Sequence, residues 1–250
     1  MSIETLRARV RHQRDELPGV YGDIDFDLVP ERLALGPDDE SDLPPYVKVT
    51  REELLADTEL IDLMTTATML GDVICDAYVS LTPEYGMHGL IEMLRTACRD
   101  GIEAVDDPPA ELVTFIEQME HVPDWIDLDM VESGARQERV SAALLSPFGV
   151  RGAFLATFIN EYAALPMALT GSLSDKRAAK RVNETASFFA STVLPHGMDR
   201  NGPGFEAAAM VRLMHSMVRY NALQKTGKWD QSRFGIPIPQ VDQMPAGLIG

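Results

Sequence analysis

In the stretch VRLMHSMVRY, residues 211 to 220, a single histidine stands inside an otherwise apolar, Met-rich helical pattern. On a helix, positions 208, 211, 215, 218 and 222 share one face, so His215 is surrounded by Ala208, Val211, Val218 and Ala222. Small neighbours leave room for a flat ligand. A neutral imidazole there can bind haem iron through one ring nitrogen while a hydrogen bond fixes the other. A core histidine satisfied by a backbone carbonyl fits the same spacing, and spacing alone leaves both readings open. Upstream, in KRVNETASFF (180 to 189), Arg181 and Thr185 are four positions apart, which puts them on one helix face, about 6 Å apart along the axis. A guanidinium and a hydroxyl so placed could hold a propionate or polarise bound oxygen. The plainer reading is a surface arginine and a threonine bonded back to its own turn.

Other chemistries lack their local signatures. A di-iron bundle needs Glu-x-x-His on two helices, and the chain has none. Glu84 with His88 and Glu117 with His121 have a spacing of four, but the first pair spans Gly86 and the second runs into Pro123, so both read as surface pairs. GxSxG, HExxH and GxxxxGK[ST] are missing. GPGFEA, residues 202 to 207, imitates a dinucleotide fingerprint, yet no strand precedes it and Pro203 removes one N–H from any phosphate cradle.

These residues need helices to position them, and helical patterning dominates the chain. Residues 2 to 17 form a charged amphipathic segment with a Ser2 cap, closed by Pro18-Gly19. Residues 23 to 62 hold thirteen Asp or Glu against three Lys or Arg and are broken by prolines, which predicts an extended, solvated wrap. From Thr50 a capping box with Glu53 feeds an apolar run with helical spacing. Further helices are expected at about 87 to 99, 109 to 120, 127 to 144, 150 to 170, 174 to 192 and 204 to 225. The prolines and glycines of FGIPIPQVDQMPAGLIG, residues 234 to 250, predict an extended tail without helix. The expectation is an all-α protein: an N-terminal helix and acidic segment over 1 to 49, then one helical domain over 50 to 250.

The 250 residues, 45% hydrophobic, suffice for one substantial core. A formal charge of −17 argues against nucleic acid and anionic membrane surfaces as partners, because phosphate contacts need clustered Lys and Arg. Cys75 and Cys98 lie in apolar helical surroundings outside any CxxC pattern and read as buried free thiols. With no leader pattern and no uncharged apolar run long enough to span a bilayer, a cytoplasmic location is the expectation.

Four ordered segments, VPDWIDLDMVESG (122 to 134), the Arg181 and Thr185 pair, VRLMHSMVRY and WDQSRFGIPIPQVDQM (229 to 244), resemble the latex clearing protein (rubber oxygenase) and MpaB-type oxygenase family over roughly residues 120 to 244. The resemblance implies a globin-like all-α fold that holds haem b, with His215 as the iron ligand and Arg181 and Thr185 lining the haem site. It implies dioxygen and an apolar, isoprenoid-type alkene as reactants, with cleavage of the double bond to carbonyl ends. Rubber-cleaving members carry a lysine just before the threonine, where this chain has Glu184, and they continue beyond the stretch matching 229 to 244. Glu161, in FINEYAAL, is a candidate distal acid or base, since a buried carboxylate in an apolar helix has a raised pKa. A surface position for Glu161 is the alternative.

Overall fold

Several helices begin where the sequence supplies a side-chain cap. The computed structural model describes residues 2–31, 48–145, 165–166, 175–224, 227 and 229–243, without the side chains of 144–145, 175–179, 181–182 and 242–243. Ser2 accepts a hydrogen bond from the Thr5 amide and opens α1 (Ile3–Glu16), followed by the single turn α2 (Pro18–Tyr21). The expected box forms at Thr50 and Glu53 and starts α3 (Arg51–Ala56). Asp57 then caps α4 (Thr58–Ala67), and Asp72 caps α5 (Val73–Ser80). One long apolar run is thereby cut into three helices, because each aspartate draws the next amides to itself rather than continuing the ladder.

The helix expected at 87 to 99 lies within α6 (Thr82–Asp100), which breaks at Gly86, a residue at φ +67° that a side chain would resist. Gly86 falls between Glu84 and His88, which are both exposed. α7 (Ala110–Glu120), α8 (Leu128–Leu145), α9 (Asp175–Thr192) and α10 (Pro203–Gln224) match the spans expected for them. The helix expected at 150 to 170 falls almost entirely outside the described residues.

Two expectations need correction. The acidic stretch is not a solvated wrap throughout: Ile24 and Phe26 are buried against α1, while 51–56 and 58–62 are helical. Residues 32–47 within it lie outside the described residues. The C-terminal segment is not free of helix either, since α11 (Gln231–Phe234) reaches its first residue and α12 (Gln240–Gln243) forms a turn inside it. Single turns fit between the prolines, because a proline blocks only continuation through its own position. Among the described residues there is no strand, and the fold is all-α.

Two apolar clusters hold these helices. The larger joins α5, α6, α7 and α10 through Tyr78, Leu90, Leu94, Leu112, Phe115 and Leu213, at spacings of three and four that make one stripe per helix. The smaller packs Leu6 and Val10 of α1 with Tyr21, Met69, Leu70 and Ile236. Each such side chain contributes about 1.5 to 3 kcal/mol when removed from water. Cys75 and Cys98 are buried free thiols, and burial pushes the Cys98 thiol up to about 11, which keeps it protonated at neutral pH.

Candidate functional site

α10 carries His215 and presents two kinds of surface. Phe205, Ala209, Leu213, Ser216 and Arg219 are buried in the core. Ala208, Val211, His215, Val218 and Ala222 are half-buried and centre about a third of a turn away from that line. The expected His215 face therefore exists and is turned away from the main cluster. α9 packs along α10, with Thr185 half-buried and Arg181 one turn earlier on the same helix. The Arg181 side chain and the whole of Glu161 lie outside the described residues. Glu184 is exposed, and its carboxylate lies 3.7 Å from the Lys180 ammonium, an ion pair on the outer side of α9.

The start of α10 disposes of the nucleotide decoy. The Gly204 and Phe205 amides both donate to the Gly197 carbonyl, at 2.7 and 3.1 Å, so they are taken up within the fold. A Cβ on Gly204 would lie 2.7 Å from Gly197 O and 2.8 Å from Ser191 O, so this glycine serves close backbone packing.

One turn beyond His215 lies a buried polar node that motif reading passed over. Arg219 is fully buried, and its Nη1 donates to Asp76 Oδ1 at 2.5 Å. Its Nε donates to Pro237 O at 3.0 Å and its Nη2 to Ile238 O at 2.5 Å. The Tyr21 hydroxyl donates to the other Asp76 oxygen. Ser216, the neighbour of His215, accepts from Arg219 Nη1 at 3.4 Å and hydrogen-bonds Asp76. Burial pushes the Asp76 carboxyl above its ordinary range, against the pull of the Arg219 charge and the Tyr21 and Ser216 hydrogen bonds. Burial also works against the Arg219 charge, but Asp76, Tyr21 and Asp72 together outweigh it and hold the guanidinium above its usual pKa. The signal available in the sequence was Asp76 itself, a lone acid inside the apolar VICDAYV.

A second pair braces the same helices. Arg212 grips Asp72 through two bonds of 2.8 and 2.9 Å, and its Nη1 reaches Gln118 Oε1 at 2.5 Å. Burial alone would raise the Asp72 pKa; the bonds and charge of Arg212, with the Arg219 charge and the Cys75 amide, outweigh it and hold the carboxyl below its ordinary value. The segment after α10 is tied in as well. Trp229 Nε1 donates to Gly235 O at 2.7 Å, and Gln240 Nε2 donates to Gly71 O at 2.8 Å. VPDWIDLDMVESG, by contrast, leads into α8 at the surface, with Trp125 83% exposed.

The fold and site define an all-α protein built around a histidine-bearing central helix whose His215 face is turned away from the main core. Residues 139–245 match the family described as ER-bound oxygenase mpaB/B'/Rubber oxygenase, catalytic domain, and this stretch holds Glu161, Arg181, Thr185 and His215. No curated protein and no solved structure matches the chain. An oxygenase-type family is what the match shows.

Proposed function

We propose that this chain is a haem b-dependent oxygenase that cleaves a carbon–carbon double bond of an apolar, isoprenoid-type substrate with dioxygen. The observation that carries the reading is the placement of His215: inside the family-matched segment, half-buried, on the helix that packs along α9, and on a face of α10 that lies outside the main apolar cluster. Among the described residues no three His, Cys, Asp or Glu side chains are grouped to hold a bare ion. Iron held in a porphyrin asks for only one protein donor, and an imidazole flanked by Ala208, Val211, Val218 and Ala222 suits that role.

His215 would be that donor, Arg181 would neutralise a propionate, and Thr185 would offer its hydroxyl as a hydrogen-bond donor. Glu161 would be the acid or base of the distal side. Bound haem supplies the activation of dioxygen, while the protein orients the alkene and excludes water. One double bond and one O₂ become two carbonyl groups, so the reaction balances without an external reductant.

Protein expressed with added haem should show a Soret band that His215→Ala loses. A wild-type protein with no Soret band, or a His215→Ala variant with the wild-type band, ends this reading. A second reading, a haem- or lipid-binding protein of this fold without turnover, is favoured by Glu184 in place of the lysine. Oxygen uptake with isoprenoid alkenes separates the two, because a mere binder shows a ligand-induced spectral change and forms no carbonyl product.

A further inference from the structure

The Arg219 node joins four pieces of chain that are far apart in sequence. Tyr21 comes from α2, Asp76 from α5, Ser216 and Arg219 from α10, and the accepting carbonyls from 237 and 238 in the segment before α12. Asp76 and Arg219 are 143 residues apart, and the side chains of both are essentially inaccessible to solvent. A buried pair bonded through all three guanidinium nitrogens and both carboxylate oxygens favours one geometry, because rotation of α10 would leave a desolvated charge unpaired. Arg219 is also directional: a planar guanidinium that meets a carboxylate and two carbonyls at once has a single orientation that serves all three.

From this geometry we infer that Arg219, Asp76 and Tyr21 are positioning residues for His215: they set the rotation of α10 about its axis and so aim the His215 face away from the core. The inference rests on the reading of His215 as the cofactor-binding residue, but its action is on the helix and is present without the cofactor. Ser216 makes the connection short, since the residue bonded into the node is the one directly after His215. The node also ties HSMVRY to GIPIPQ, since Arg219 of the first holds the backbone of the second.

The test uses the full chain and three variants. Arg219→Lys keeps the charge but cannot span Asp76 and both carbonyls. Tyr21→Phe removes one hydroxyl. Leu112→Ala, a cavity in the larger cluster, serves as the destabilised control. In haem-free protein, the His215 imidazole resonance and amide exchange over residues 211–219 are compared at equal distance below each variant's melting temperature. Arg219→Lys and Tyr21→Phe should shift the His215 resonance and speed exchange over 211–219 roughly tenfold relative to Leu112→Ala. In haem-loaded protein the same two variants should change the electron paramagnetic resonance g-values, which loss of global stability alone does not move. If Arg219→Lys does not fold, Tyr21→Phe carries the comparison. Node variants indistinguishable from Leu112→Ala overturn the inference. A wild type that takes up no haem overturns the haem reading and leaves the haem-free comparison standing.

Discussion

Gly71 shows how closely the residues of the node are fitted. A Cβ at that position would run into the Tyr21 hydroxyl, with Tyr21 Cζ at 3.0 Å and Asp76 Oδ2 at 3.4 Å as its next neighbours. Its amide meanwhile donates to Gln13 Oε1 at 2.8 Å, and Gln13 is itself buried and donates to Val10 O and Met69 O. Tyr21 cannot retreat without losing Asp76, so Gly71→Ala should destabilise the fold by about 1 to 3 kcal/mol, the usual cost of overpacking a core. Removing the hydroxyl relieves most of the clash, so Gly71→Ala with Tyr21→Phe should cost less than the sum of the two single changes. Urea unfolding of the four proteins measures this, and strict additivity would show that the two residues do not meet. None of it was legible in the sequence, where Tyr21 and Gly71 are an unremarked tyrosine and a glycine 50 positions apart. His215 was legible as a candidate because its neighbours on the helix face are local, and that face is where the spacing put it.

At the level of elements, caps and stripes were legible for the same reason: they depend on residues three or four apart. Ser2, Thr50 and the stripe of α7 could be read directly, whereas the division of 51–80 into three helices could not, because Asp57 and Asp72 sit inside a pattern that helical spacing alone would continue. Asp72 has two tasks, as cap of α5 through the Cys75 amide at 3.3 Å and as partner of Arg212 on α10. Asparagine caps about as well as aspartate, so Asp72→Asn isolates the charge. The variant should lose about 1.5 to 3 kcal/mol at neutral pH, the range for hydrogen bonds to a charged group with little exposure. Because the folded pKa of Asp72 lies below its unfolded value, its contribution is present above about pH 4 and fades as pH falls through the folded pKa. The stability gap between wild type and Asp72→Asn should accordingly be constant near neutrality and close on the acid side. A gap that persists unchanged to pH 2 would mean that the Arg212 contact is not an ion pair.

The whole molecule is arranged so that the family-matched segment does not stand by itself. Residues 139–245 supply α9, α10 and the segment to Gln243, but the charges that complete α10 come from Asp72 and Asp76, outside that stretch. Tyr21 and Gln13 lie further out, on helices that the sequence reading set apart as an N-terminal segment. The smaller apolar cluster repeats the pattern, with Leu6, Val10 and Val20 packed on Met69, Leu70 and Ile236. Length and the acidic balance gave no hint of this, since a charged amphipathic helix has the same composition whether it packs on its own chain or points into solvent. A chain that begins at residue 23 would lose Gln13 and Tyr21, expose Met69 and Leu70, and leave Asp76 with Arg219 and Ser216 as its buried partners. It should unfold at lower urea concentration than the full chain. The Trp229 side chain reports on this region because it bonds Gly235 beside the buried Ile236, so its fluorescence in the shortened protein should already lie part of the way toward the unfolded value before urea is added. Equal midpoints with identical Trp229 emission would show that α1 and α2 rest on the body without bracing it.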